Sequence, residues 1–424
     1  MATKKKKNVK LVPKLRFPEF VKDGAWHQAK LSSLASPVKE KAKSVKPDDV
    51  LTLSGKYGLI RQTEYFGKKI AGENLSRYLK IRQNDFVYND RTTSSNKYGS
   101  LKRLTNHSTG AVSPIYKCFR FDTEAKSIYW ENYFEAGAHE NELSQFINEG
   151  ARAGRFNISV DMFLSIYVTY PNNAEQQKIA DCLSSLDKII SAHSTKLGAL
   201  QDHKKGLLQK LFPAKGKNSP KLRFPEFATT KNWKKITLKE LFTIFQGFAF
   251  SSQDSTNNGV RWLKIANVGI LSMNPNKPSF LPEGHKTEYD RFRVTQGDYV
   301  IALTRPFLNH QLKIAKVDST YDGALLNQRV GKLISSINAD FVYYLLQTSL
   351  LTSMIEKQIA GNDPPNLSSN QISELLINIP QPREQQEIAN CLSSLDSQIT
   401  AQSQKNTSLK DLKKGLMQQL FPYS

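Results

Sequence analysis

The chain has 424 residues, 39% hydrophobic and 23% charged, with 60 Lys and Arg against 38 Asp and Glu for a formal net charge of +22. That length suffices for two or three self-supporting domains, and the composition excludes a disordered chain. The positive excess favours a polyanion over a small neutral substrate, and three cysteines without metal-ligand spacing argue against a disulfide framework or a zinc site.

Residues 1–24 form a lysine-rich arm and an opening motif. No apolar stretch follows the lysines, so the arm does not read as a signal peptide, and no segment approaches the length of a membrane span. The chain is expected to be cytoplasmic. Pro13-Lys14-Leu15-Arg16-Phe17-Pro18-Glu19-Phe20 then returns without change 207 residues later, from Pro220 to Phe227. Residues 25–171 carry short runs of Val, Ile, Tyr and Phe broken by Gly, Asn and Asp, which predicts strands and turns. After one apparent strand comes a polar loop, Asn89 to Arg103. Its Arg91, Asn96, Lys97, Tyr98, Lys102 and Arg103 have the chemistry to pair with phosphates and base edges.

Residues 172–213 predict a long helix. Ile179, Leu183, Leu186, Ile190, His193, Leu197, Leu200, Lys204, Leu207 and Leu211 are spaced four and three apart, as in a coiled-coil seam. Pro171 precedes the helix, Glu175 places negative charge in its first turn and Phe212-Pro213 stops it. A linker, 214–232, holds the second opening motif, and residues 233–380 form a second β-rich block. There Arg305, Asn309, His310, Gln311 and Lys313 occupy the place of the first polar loop. The blocks share landmarks: Gln83-Asn84-Asp85-Phe86-Val87 answers Gln296-Gly297-Asp298-Tyr299-Val300, and Asn157-Ile158-Ser159 answers Asn366-Leu367-Ser368. Residues 381–424 repeat the helix 209 residues on, with Ile388, Leu392, Leu395, Ile399, Gln402, Asn406, Leu409, Lys413, Leu416 and Leu420 in the same seam. Polar residues interrupt both seams at matching places, His193 with Gln402 and Lys204 with Lys413, where they set register at some cost in stability. The predicted fold is α+β: two β-rich domains related by pseudo-two-fold symmetry and two long helices pairing as an antiparallel coiled coil.

Enzyme motifs are missing. Asp363-Pro364-Pro365-Asn366 lacks the aromatic fourth residue of an amino-methyltransferase motif and has no glycine-rich cofactor loop ahead of it, so it reads as a turn. Pro47-Asp48 and Glu124-Ala125-Lys126 lie too far apart for a nuclease motif, and no phosphate-binding loop, His-Glu-x-x-His pair or Gly-x-Ser-x-Gly elbow is present.

The duplicated Glu-Gln-Gln-x-Ile-Ala-x-Cys-Leu-Ser-Ser-Leu-Asp helix, with Leu-Arg-Phe-Pro-Glu-Phe and then Trp26 or Trp233 ahead of each block, resembles the specificity subunit of type I restriction-modification systems over essentially the whole chain. The resemblance implies two target-recognition domains, each reading one half of a bipartite asymmetric DNA site. It implies helices that act as a spacer and bind two modification subunits, with Ile179, Leu183, Leu186, Ile190, Ile388, Leu392, Leu395 and Ile399 on the partner-binding helices. S-adenosylmethionine, ATP and Mg2+ would then be bound by modification and restriction partners. This chain would hold no cofactor or metal and perform no catalysis. The reading from another class is a coiled-coil adaptor that binds RNA or protein, and a self-contained nuclease is a third.

Overall fold

A computed structural model describes residues 11–422 apart from 44, 69, 71, 73–74, 94–95, 124–125, 147–156, 276–277, 360 and 362–363. The lysine-rich arm, Asp363 and the Arg155-Phe156 part of the first Asn-Ile-Ser landmark lie outside the described residues. Two compact units divide the chain: residues 1–194 with 404–424, and residues 195–403.

In unit 1, His27–Lys30 pairs antiparallel with Tyr167–Tyr170 and closes the block at its two ends. A four-stranded sheet orders Ala35–Pro37, Lys117–Phe121, Phe86–Asn89 and Ser100–Arg103; a second orders Gly58–Arg61, Val50–Ser54, Thr109–Val112 and Leu79–Arg82. Phe86, Val87 and Tyr88 are all buried because the first sheet is covered on both faces. Phe86 and Tyr88 alternate into an aromatic core with Phe119, Phe121, Trp130, Phe134 and Phe163, while Val87 faces a second core with Leu51, Ile81 and Val112. Phe121 stacks on Trp130 at 4.8 Å and Phe86 on Phe119 at 5.4 Å.

Unit 2 repeats the plan. Lys234–Thr237 pairs with Leu376–Ile379, and the four-stranded sheet runs Phe242–Gln246, Val330–Ser335, Tyr299–Ala302, Ile314–Lys316. Tyr299 and Ile301 enter one core, Val300 and Ala302 the other. The central strand of each sheet is entered by the same turn. Asn84 and Gly297 have φ of +72° and +99°, a region open to Gly and tolerated by Asn. The next residue accepts a backbone N–H across the turn, Arg82 to Asp85 and Thr295 to Asp298, both at 2.7 Å.

The two motifs that recur in the sequence meet in space. Arg16 donates Nε and Nη2 to the carboxylate of Glu175 at 2.8 and 2.7 Å, and Trp26 Nε1 adds a third bond at 3.3 Å. Arg223, Glu384 and Trp233 repeat this at 2.8, 2.6 and 3.2 Å. Both carboxylates are only 1% exposed. The neighbouring glutamines, Gln176 and Gln385, donate to the Pro171 and Pro380 carbonyls at 2.8 Å. Each opening motif thus locks onto the first turn of a long helix.

Those helices are Asn173–Leu211, the central helix, and Pro382–Leu420, the distal helix. Each contributes to both units. In unit 1, Asp187 pairs with Lys413 and Ser194 with Asn406, so the distal helix runs antiparallel to the central one. Its last turn packs Met417, Leu420 and Phe421 among Trp26, Tyr129 and Tyr133. In unit 2, Lys204 pairs with Asp396, and Leu211 and Phe212 share a core with Ile388, Leu392, Trp233 and Phe341. The backbone closes the same way twice: Leu15 N–H donates to Gln419 O at 3.0 Å and Leu222 N–H to Lys210 O at 2.9 Å.

Candidate nucleic-acid interface

In unit 2 the strands Phe242–Gln246 and Tyr299–Ala302 end, and Val330–Ser335 begins, at one end of the sheet. Antiparallel register therefore gathers three loops there. Gln246 Nε2 donates to Gln328 O at 2.7 Å, Arg305 N–H to Pro365 O at 2.8 Å, and Thr304 bridges to Asn366. A Cβ on Gly247 would meet the Leu326 and Asn327 carbonyls at 2.4 Å, so only glycine lets the first strand pass so close to the loop carrying Gln328. Ser368 caps the short helix Ser369–Ile372 through Gln371 N–H, which fixes the segment from Pro364 to Asn370 at the rim. Between these loops lies a cavity of about 850 Å³, lined by Gln246, Thr304, Arg305, Gln328, Arg329, Asn366 and Asn370 among others. Its lining includes no Asp or Glu among the described residues, and neither guanidinium has an acidic partner there. Arginine can grip the guanine O6/N7 edge, and Asn or Gln the adenine N6/N7 edge.

The same sheet end in unit 1 offers other chemistry. Asp90 is buried and takes the Lys117 ammonium at 2.6 Å, which removes both charges from binding. Exposed Arg91 follows at the place of Thr304, and Ile115, 43% exposed, stands in the loop before Lys117–Phe121.

The loop residues singled out from sequence separate into groups. Arg91 and Lys97 are exposed. Asn96 is tied into its own loop, donating from Nδ2 to Ser100 Oγ at 3.1 Å, and half-buried Tyr98 packs on the aromatic core. Arg103 departs from the expected role. Its guanidinium reaches Glu131 at 2.9 and 2.5 Å and Asn84 Oδ1 at 2.6 Å, because strand Ser100–Arg103 lies under helix Ser127–Glu135. Lys102 lies 3.9 Å from Glu135 on that helix. The counterpart of Arg103 with Glu131 in unit 2 is Lys316 with Asp340, at 3.2 Å. Asn309 and His310, at φ of +50° and +59°, make the two-residue turn of a hairpin between Phe307–Leu308 and Gln311–Leu312. Gln311 is exposed and His310 Nδ1 lies 3.0 Å from Glu356. Lys313 is half-buried beyond the hairpin, where desolvation lowers its pKa. Only Arg305 of this group lines the cavity.

Gln246, Gln328, Arg329 and Asn370 were not singled out from sequence. Gln246 ends the strand Phe242–Gln246 and Gln328 and Arg329 precede the strand Val330–Ser335 at that sheet end, while Asn370 lies on the helix Ser369–Ile372 and is brought there by the tertiary fold. Most of the helix residues singled out from the seam lie in the chain's own cores. Ile179 and Leu183 are buried in the core of unit 1, and Ile388 and Leu392 in that of unit 2. Leu186 and Leu395 are buried as well, with Ile190 and Ile399 half-buried. An apolar stripe at helical spacing is used first by the chain's own core.

Residues 26–201 and 230–411 each match the family model described as the type I restriction modification DNA specificity domain. The chain belongs to that family. It is 27% identical over 428 residues to the type I restriction enzyme MjaVIII specificity subunit of Methanocaldococcus jannaschii, a match covering 98% of this chain and 96% of that protein. A shorter match, 26% over 172 residues, covers 40% of this chain and 29% of the Escherichia coli EcoAI specificity subunit. Its fold is that of the type I restriction-modification S subunit from M. genitalium, with a TM-score of 0.59 at 16% identity over 97% of this chain and 99% of that one. Membership makes this a specificity subunit with two copies of a DNA specificity domain. Among the described residues there is no cluster of metal-binding side chains, and no helix is long and apolar enough to cross a membrane.

In such a subunit the cavity residues should govern one part of the recognised sequence. Arg329→Ala and Arg305→Ala are each expected to weaken binding of the native site by about 1–3 kcal/mol and to relax the choice of base at one position. Competition assays with single-base variants of the site read this directly. Equal weakening on all sequences would assign that arginine to a phosphate instead.

Proposed function

We propose that this chain recognises a bipartite, asymmetric DNA site, one half per unit, and carries that address to partner subunits that perform the chemistry. The observation that carries the reading is the shared sheet end: one scaffold, built twice, presents Arg and amide groups in unit 2 and Arg91 with Ile115 in unit 1. A symmetric target would be served by two like surfaces. On this reading two modification subunits bind the long helices and bring S-adenosylmethionine for adenine methylation, and restriction subunits bring ATP and Mg2+. The chain itself is non-catalytic and works in the cytoplasm. The paired helices act as the ruler, with half-sites read about one helical turn of DNA apart.

Exchange of residues 233–380 for the block of a relative tests this. The methylated motif of cells expressing the chimera with its modification subunits should change in one half only. A motif altered in both halves would show that the blocks do not read independently. Binding should also weaken steeply with salt, as phosphate contacts release counterions; a flat salt response would favour the adaptor reading.

A further inference from the structure

Lys204 and Lys413 sit at apolar seam positions that leucine would fill, yet both are largely buried, with side chains 11% and 14% exposed. In unit 1 the Lys413 ammonium meets Asp187 at 2.7 and 2.9 Å and Glu135 at 3.6 Å. It thereby joins the distal helix, the central helix and the recognition-domain helix Ser127–Glu135. In unit 2 Lys204 meets Asp396 at 2.7 Å and Gln347 Oε1 at 3.4 Å and lies 5.3 Å over the Tyr344 ring, while Tyr344 OH donates to Asp396 at 2.8 Å. It joins the central helix, the distal helix and the recognition domain around Ala339–Leu345. The two clusters correspond by the 209-residue repeat: Lys204 with Lys413, Asp187 with Asp396, and Glu135 with Tyr344. The recognition-domain contact is kept although its chemistry changed from an ion pair to an aromatic ring.

Hydrophobic seam contacts can be remade after a shift along the helix, and a buried ammonium cannot move without losing its carboxylate. The geometry points to Lys204 and Lys413 as positioning residues that hold each recognition domain at one angle and height on the paired helices, and so fix a single gap between the half-sites. This rests on the bipartite reading above. DNA contact is no part of their role; they act through the placement of the loops that touch it.

The test uses the full chain assembled with its modification subunits and reads the gap lengths of all methylated sites. Lys204→Met with Lys413→Met keeps side-chain length and removes the charge. Sites whose gap is one base pair shorter or longer should rise at least about tenfold in methylation, with the half-site bases unchanged. Lys204→Arg with Lys413→Arg should keep the single native gap. A structural role alone would lower the melting temperature and methylation at every site and leave the gap distribution as it was; that result overturns the proposal. If the methionine pair fails to assemble, Asp187→Asn with Asp396→Asn removes the two helix-to-helix ion pairs while keeping both lysines, and reads the same gap distribution. A wild-type motif without any gap would instead overturn the bipartite reading, and the pins with it. A gapped wild-type motif with a single unchanged gap in the variants overturns the pins alone.

Discussion

Glu384→Ala is expected to destabilise unit 2 by about 3–5 kcal/mol, the usual cost of breaking a buried ion pair from one side. The carboxylate is 1% exposed, and three donors converge on it: two from Arg223 and one from Trp233. Its removal leaves a guanidinium, 12% exposed, with the Thr230 hydroxyl and carbonyl as its remaining partners among the described residues. It also frees the opening motif from the helix it docks on. Glu175→Ala should do the same to unit 1 through Arg16 and Trp26. Because the chain forms two units, unfolding need not be a single transition. Trp26 and Trp130 report on unit 1, and Trp233 and Trp262 on unit 2. Denaturant titrations of single-tryptophan variants should place each loss in its own unit. A cost below about 1 kcal/mol would make the lock no stronger than a surface salt bridge.

Unit 1 should also lose stability on mild acidification, and unit 2 should not share that loss. His139 is buried between Phe134 and Phe163, ring centroids 5.1 and 6.3 Å away, and its Nδ1 has no hydrogen-bond partner among the described residues. Desolvation depresses its pKa from 6.5 to about 4. The folded core therefore holds the neutral ring while the unfolded chain takes up a proton below pH 6.5. Above pH 6.5 the stabilisation is complete; it falls as pH drops towards 4, by up to about 3 kcal/mol at 1.36 kcal/mol per pKa unit. The adjacent Glu140, whose carboxyl burial pushes up, works in the opposite sense at the acid end of that range. The equivalent residue in unit 2 is Thr348, whose hydroxyl donates to Leu345 O at 2.7 Å. Melting of unit 1 followed from pH 7 to pH 5 should show the loss, and His139→Leu should flatten it. A His139→Leu profile parallel to wild type would mean that carboxylates set the acid response.

What could be read from the sequence, and what could not, follows from how far each signal acts. The helices, their starts and their seams are local patterns of period and charge, and Ile179 to Leu211 stand where the period put them. Asn84 matched Gly297 as a landmark in the sequence, and the structure adds that both take positive φ, a conformation that Gly adopts freely and Asn tolerates. Arg103 was not legible as a scaffold residue. A basic residue on a strand carries the same letter whether it faces solvent or Glu131, 28 residues away. A subtler signal existed: Arg103 with Glu131 and Lys316 with Asp340 keep opposite charges at both repeat positions. The seam residues show the same limit, since the period alone does not say which part of the chain covers them. Periodicity marks which face is buried and is silent about what buries it.

The crossed helices carry one more consequence. Unit 1 includes the last turns of the distal helix, and unit 2 the last turns of the central helix, while the peptide between Phe212 and Pro220 is the covalent join between halves. A cut in that peptide would leave two fragments, each holding part of both units, so neither could leave without exposing the seat of Phe212 or of Phe421. The Arg–Glu lock and the backbone bond that seats each helix end recur at equivalent positions in the two halves, so the duplication kept these contacts as well as the sequence.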